Sequence, residues 1–263
     1  MAKQEAIKDA IVKGQELKVG NTLTDLINRS DYKRRFEELL GKKAPSFIAS
    51  ILSLYNTSPA LKVCDPRSIL SAAAIAATLD LPINPNLGFA AIVPYKGVAQ
   101  FQMMWRGFVQ LAIRTGIYQT MNAAEIYEGE LVEYNRVTGE VKIDESKQKS
   151  DKVVAYVAYF KLVSGFQKFF LMTKEKVTAH GKRYSRAFNS GPWQTHFDEM
   201  ALKTVLKSLL SKYGILSVEL QKAIQYDQAV VTETPQGEKI EYPDAPALEG
   251  PEKEDPAGTA IEP

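Results

Sequence analysis

The spacing of hydrophobic and polar residues divides the chain into a helical part, a strand-rich part and a second helical part. Apolar residues recur at helical spacing over 30–40 and 44–55, and Asp65 followed by Pro66 fits the N-cap and first turn of a helix that runs to Leu79. Helical patterns return at Thr173 and over 192–213. Strand-like segments lie between them, at 123–127, 131–135, 141–144, 153–160 and 166–172. This order predicts an α+β fold with helical N- and C-terminal parts around central antiparallel hairpins or a sheet.

The segment from Leu81 to Gly116 predicts a β-hairpin followed by a helix. Lys96 and Gly97 fit a two-residue connection between the strands. In the second strand, alternation places Phe101 and Trp105 on an apolar face and Gln100 and Gln102 on the opposite face. In the helix, a polar ridge is formed by Arg106, Gln110 and Arg114, which are four residues apart. The segment has no acidic residue and no histidine, so it suits phosphates and bases better than metal ions. A half-buried hairpin with a solvated helix face is the alternative interpretation.

Two further groups of basic residues are candidates for binding a polyanion. Lys182, Arg183 and Arg186 alternate with Tyr184 and Phe188, and such a mixture suits a surface where cations hold phosphates and rings stack on bases. On the predicted helix over 192–213, a helical projection brings His196, Lys203 and Lys207 to one face, opposite a broad apolar face. Both groups also fit ordinary solvated surfaces. If Lys203 and Arg106 lie on exposed ridges, their replacement by alanine should leave the fold intact.

The formal net charge of +2 conceals an uneven distribution. Residues 229–263 carry nine acidic residues and two lysines, a net charge of −7, whereas residues 1–228 carry +9. A basic body with an acidic tail is common among nucleic-acid-binding proteins. We therefore predict a folded domain over 1–228, with 1–30 as a mobile arm or a subunit contact, and a disordered, proline-rich tail over 229–263. Truncation after Gln228 should then preserve folding.

Motifs for enzymatic chemistry are scarce. The sequence has no nucleotide-binding glycine loop, and His180 and His196 are not in a metal-ligating pattern. Cys64 stands alone, which predicts a structural thiol in a reducing cytoplasm, and no apolar run is long enough to cross a membrane. Glu140 and Lys142 have the Glu-x-Lys spacing of some metal-dependent nucleases, although a solvated hairpin is the favoured interpretation of these residues.

Four segments of the chain, in order, resemble the signature region of the RecT family of phage single-strand annealing proteins. They are CDPRSILSAAAIAATLDLPINP (64–85), LGFAAIVPY (87–95), FQMMWRGFVQLAIRTG (101–116) and WQTHFDEMALKTVLKSLL (193–210). The resemblance spans roughly 23–212. It implies a protein that binds single-stranded DNA, anneals complementary strands without ATP or another cofactor, and has no catalytic site.

The resemblance also implies partners, and the basic and polar groups described above supply the candidate DNA contacts. The partners are single-stranded DNA and the annealed duplex, further copies of the chain in a ring or helical filament, a 5′-to-3′ exonuclease, and the host single-strand-binding protein through the tail. The effect of divalent metal stays open. The candidate contacts are Lys96, Gln100, Gln102, Arg106, Arg114, Lys182, Arg183, Arg186, Lys203 and Lys207. Phe101 and Trp105 contact bases or belong to the core. The competing functions are a metal-dependent nuclease or other DNA-processing enzyme, and a structural oligomer.

Overall fold

The computed structural model describes residues 22–234 and 237–243. Residues 1–21 of the arm predicted over 1–30 and residues 244–263 of the tail predicted over 229–263 lie outside these residues. The remainder of the predicted arm is not free, because residues 23–27 form a helix with Leu23, Leu26 and Ile27 buried in the core. In the described residues, no helix is long and apolar enough to cross a membrane. The fold is α+β, as predicted, with helices at both ends and antiparallel strands in the middle.

The N-terminal part is a set of helices packed around a small-residue helix. The helices are α1 (Leu23–Ile27), α2 (Ser30–Leu40), α3 (Ala44–Thr57), α4 (Pro59–Lys62) and α5 (Pro66–Thr78). Asp65 caps α5 as predicted, because its side chain accepts a hydrogen bond from the Arg67 backbone N–H at 3.0 Å. The alanines of α5 are buried, and this thin helix contacts α1, α2 and the following hairpin.

The hairpin and helix predicted over 81–116 are present. Strand β1 (Ala90–Tyr95) pairs with β2 (Val98–Met103), and Lys96 and Gly97 connect them with φ angles of 49° and 81°. Positive φ at both positions fits a tight hairpin connection and explains the glycine. Helix α6 (Trp105–Arg114) follows directly.

The central sheet has the strand order β3-β6-β7 and is antiparallel throughout. Its strands are β3 (Tyr118–Tyr127), β6 (Val153–Leu162) and β7 (Gln167–Thr173), while β4 (Leu131–Tyr134) and β5 (Val141–Ile143) form a separate exposed hairpin. Helix α9 (Phe197–Tyr213) packs against all three strands of the sheet and against α6. Residues Met200 to Leu206 are consequently buried in an unbroken run.

The C-terminal part extends beyond the predicted boundary. After α7 (Lys174–Tyr184), the helix predicted over 192–213 is divided at His196 into α8 (Pro192–Thr195) and α9. Helix α10 (Val218–Tyr226) and the hairpin of β8 (Val230–Thr234) and β9 (Gly237–Glu241) were not predicted.

The boundary placed at Gln228 is therefore wrong. The Phe101 backbone N–H donates to Ala229 O at 3.2 Å, and Val230 and Val231 are buried against α5 and β2. The acidic composition of 229–263 predicts disorder, but the segment begins with a short apolar strand that completes the core.

Candidate nucleic-acid interface

One face of the β1–β2 hairpin lines a cavity, while the other belongs to the core. The register pairs Val93 with Gln100 and Ala91 with Gln102, so both glutamines are on one face. Phe101 and Met103, on the opposite face, are fully buried. The predicted alternation is thus confirmed, but the polar face is also covered, because the segment between α7 and α8 lies over it.

The cavity over this face has a volume of about 380 Å³, and we call it the hairpin cavity. Tyr95 and the two glutamines line one side, and residues 185–187 and 190–192 line the other. Two exposed cations, Lys96 and Arg186, lie at its margin. No carboxylate is among the described residues that line it, so the cavity is electropositive.

A second cavity, of about 480 Å³, adjoins the first between α7, α9 and α10. Trp193, Met200 and Gln228 line both cavities, and together the two form what we call the groove. The second cavity is lined further by His180, Tyr184 and Lys207. Tyr184 is about half exposed, so a ring is accessible at the mouth of the groove.

The wall of the second cavity is held by an ion triad. Lys203 Nζ and Lys207 Nζ each lie 2.7 Å from a different carboxylate oxygen of Asp227. Asp227 also accepts a hydrogen bond from the Met103 backbone N–H at 3.0 Å. Burial raises the pKa of Asp227, but the two ammonium groups outweigh burial, so its pKa lies below the ordinary value.

The triad corrects the expected position of Lys203. Its side chain is only 4% exposed, so it does not lie on a solvated ridge, whereas that of Lys207 is 30% exposed. Because two lysines share one carboxylate, the triad retains a net positive charge, and Lys207 presents that charge to the groove.

His180 contributes a ring to the groove. Burial lowers its pKa, and the nearby Lys207 ammonium lowers the pKa further. The imidazole therefore favours its neutral form at neutral pH, and it lies 4.6 Å from the Tyr184 ring, centroid to centroid. These two rings offer an aromatic surface next to a cation.

Arg106 and Arg114 do not form one free ridge. Arg114 is committed to the end of α5, because its guanidinium donates to Leu79 O at 3.0 Å and to Asp80 O at 2.9 Å. Arg106 is exposed and lies 5.4 Å from the Trp105 ring centroid, but it does not line the groove. The expectation of a shared polar ridge is wrong for Arg114, which acts as a helix cap.

The third predicted basic group is divided between two positions. Arg186 lines the hairpin cavity, whereas Lys182 and Arg183 do not line the groove. Both of the latter are exposed in the last turn of α7, with Lys182 5.9 Å from the Phe188 ring centroid and Arg183 5.5 Å from that of Tyr184. Phe188 itself is buried.

The two candidate aromatics belong to the core. Phe101 is fully buried, and Trp105 is partly buried with its ring packed against the core. Of the two alternatives, the structure therefore favours a packing role for both.

The residues behind the nuclease alternative lie on the exposed β4–β5 hairpin. Lys142 Nζ lies 3.6 Å from Glu133, and Glu140 accepts a hydrogen bond from Thr138 Oγ1 at 3.3 Å. Within the described ranges, no group of three or more His, Cys, Asp and Glu residues comes together in a way that could hold a metal ion. Cys64 is buried, and burial raises the pKa of its thiol.

Sequence analysis missed Asp227, Trp193 and Tyr242 as parts of the site. Asp227 is 24 residues from Lys203, at the end of a helix that was itself not predicted. Tyr242 lies in the segment interpreted as a tail, yet it lines the second cavity. Of these three residues, only Trp193 could have been identified from the sequence, because it is in a segment that resembles the family.

Comparison with known proteins shows the family of the chain. The RecT family profile matches residues 45–243, which include every described element that lines the groove. The chain belongs to the RecT family. Membership implies single-strand annealing in DNA recombination.

Two relatives show how far the similarity extends. The chain is 50% identical over 228 residues to the uncharacterized protein YqaK of Bacillus subtilis (strain 168), covering 85% of this chain and 80% of YqaK. It is 32% identical over 179 residues to Protein RecT of Escherichia coli (strain K12), covering 65% of this chain and 66% of RecT. The family match ends at residue 243, which supports including the β8–β9 hairpin in the folded body.

Proposed function

We propose that this protein holds single-stranded DNA in the groove and anneals it to a complementary strand without ATP. The observation that carries the proposal is the charge of the groove. Lys96, Arg186 and Lys207 line it, and Asp227, the one carboxylate among its described lining residues, is neutralised within the triad. A strand of phosphates fits such a surface.

The mechanism follows from electrostatics. Repulsion between phosphates opposes the approach of two bare strands, and cations along one strand relieve it while releasing counterions. Tyr184 and Tyr95 can stack on bases beside these cations. Base pairing then supplies about 1.4 kcal/mol per stacked step, so hydrolysis of a nucleotide is not required.

The assembly and the partners are part of the same proposal. Annealing over many nucleotides needs repeated subunits along the strand, so the active form is a ring or a helical filament. A 5′-to-3′ exonuclease would supply the strand during phage recombination, and the acidic segment over 244–263 would contact the exonuclease or the host single-strand-binding protein. Family membership supports these proposals.

An annealing assay tests the function. Two complementary oligonucleotides carrying a fluorescence donor and acceptor are mixed with the protein, without ATP and without divalent metal. The proposal predicts faster duplex formation than without protein. Cleavage after addition of Mg²⁺ would favour the nuclease alternative, and DNA binding without acceleration would favour a structural oligomer.

A further inference from the structure

The side-chain carbonyl oxygen of Gln100 is buried without a hydrogen-bond partner. Gln100 is 3% exposed, and within the described structure its Oε1 atom has no hydrogen bond. Its neighbour on the same face, Gln102, donates to the Met200 sulfur at 3.3 Å, a weak acceptor. The face of β2 that lines the hairpin cavity therefore holds an unsatisfied amide oxygen next to an amide whose nitrogen donates to a weak acceptor.

An unsatisfied polar atom in this position lowers the stability of the fold, and a hydrogen-bonding ligand would remove that cost. A buried carbonyl oxygen without a hydrogen bond loses its hydration and gains nothing in return. An apolar side chain of similar shape would fit this strand better, since β2 is buried over most of its length. The space next to Gln100 from which a partner would reach it is the cavity that Gln100 lines.

The surroundings of Gln100 define the chemistry of that partner. The cavity has the volume of a small-ligand site, Lys96 and Arg186 lie at its margin, and Tyr95 lines the same wall. An amide offers a donor and an acceptor side by side, and it can present them in either order. Each of the four DNA bases carries an adjacent donor and acceptor on its pairing edge, so any base can satisfy the amide.

We propose that the hairpin cavity is a nucleobase pocket, in which Gln100 hydrogen-bonds the pairing edge of one base while Lys96 and Arg186 hold the adjoining phosphates. This inference rests on the proposed function and adds a base contact to it. The pocket is tolerant of sequence, because the amide accommodates every base. It also favours unpaired strand over duplex, because a base in the pocket cannot pair until it leaves.

The test compares two ligands on the same variants. One is a single-stranded oligonucleotide of mixed sequence, and the other is a strand of equal length built from abasic deoxyribose units, which has phosphates but no bases. Affinity is measured by competition against a fluorescent oligonucleotide for the wild type and for Gln100→Met, whose side chain has a similar length and shape. Gln119→Met is the matched control, because Gln119 is exposed on β3 and lines neither cavity.

The wild type should prefer the strand with bases, and Gln100→Met should lose about tenfold of that preference with unchanged affinity for the abasic strand. The melting temperature of Gln100→Met should equal or exceed that of the wild type, because an unsatisfied amide has been removed. Gln119→Met should keep the full preference. Gln100→Leu carries the same expectation if Gln100→Met does not fold.

Three results would refute the proposed nucleobase pocket. The first is equal binding of both strands by the wild type, and the second is an undiminished preference for the strand with bases in Gln100→Met. The third is a lower melting temperature of Gln100→Met with unchanged affinities, which indicates that water satisfies the amide. In each case strand binding by the wild type would leave the proposed function standing. Failure of the wild type to bind either strand would refute the proposed function itself.

Discussion

Replacing Asp227 by asparagine should destabilise the fold more than any single change on the protein surface. Asparagine keeps the size of the side chain and removes its charge. Lys203, whose side chain is 4% exposed, would then lose the carboxylate charge that Asp227 places 2.7 Å from its Nζ atom. Lys207 can turn towards solvent, because it is already 30% exposed. Most of the cost therefore comes from Lys203.

The magnitude follows from the burial of the pair. Breaking a buried ion pair by removing one partner costs about 3–5 kcal/mol. The Met103 backbone N–H keeps an acceptor, because the asparagine carbonyl can replace the Asp227 oxygen that it contacts at 3.0 Å. A loss of about 3–5 kcal/mol is a large part of the roughly 5–15 kcal/mol by which a folded domain is stable.

Urea unfolding followed by circular dichroism measures this loss, and Asp80→Asn is the matched control. Asp80 pairs with Lys43 at 2.8 Å, but both side chains are at least half exposed. That change should cost at most about 1 kcal/mol. Adding Lys203→Met to Asp227→Asn should recover part of the loss, because the buried charge is then absent.

Two results would refute this reasoning. One is an unfolding free energy for Asp227→Asn within about 1 kcal/mol of the wild type, the range expected of an exposed pair. The other is a double variant that is less stable than Asp227→Asn. Either would mean that Lys203 reaches solvent.

Two other predictions concern pH and the C-terminus. The folded pKa of Asp227 lies below its ordinary value of 3.8, so its stabilising contribution is present above that pH and is lost as the pH falls through the lowered value. The difference in unfolding free energy between the wild type and Asp227→Asn should therefore shrink below pH 3.8 in urea titrations, and a constant difference would contradict the assignment. Truncation after Gln228 should cost about 3–6 kcal/mol, because it removes two buried valines of β8. Truncation after Pro243 should preserve stability while removing a net charge of −5, and it should give equal or tighter DNA binding at low salt. Equal melting temperatures for the two truncations would contradict the corrected boundary.

Much of the fold could be predicted from short-range patterns in the sequence. The cap at Asp65, the connection at Lys96 and Gly97, and the alternation of Gln100 with Phe101 depend on neighbouring residues, and each is present in the structure. These features are set by backbone geometry and by the two-residue period of a strand.

Features that depend on distant contacts were not predictable. A helical projection places Lys203 on a polar face, but it cannot show that Met103 and Asp227 cover that face. Val230 and Val231 lie in a strongly acidic segment. Its composition predicts disorder, and the short apolar run was too weak a pattern to indicate that both valines are buried. Alternation identified the face of Gln100, but not the segment from α7 to α8 that closes over it.

The salt dependence of DNA binding tests most directly whether the groove holds the phosphate backbone. For single strands, each neutralised phosphate contributes about 0.7 to the slope of log affinity against log salt. The double variant Lys96→Ala/Arg186→Ala should therefore have a slope smaller in magnitude by about 1.4 than the wild type. The control Arg136→Ala/Lys142→Ala removes the same charge from exposed residues of the β4–β5 hairpin and should keep the wild-type slope. Equal slopes for the two double variants would contradict a strand-binding groove.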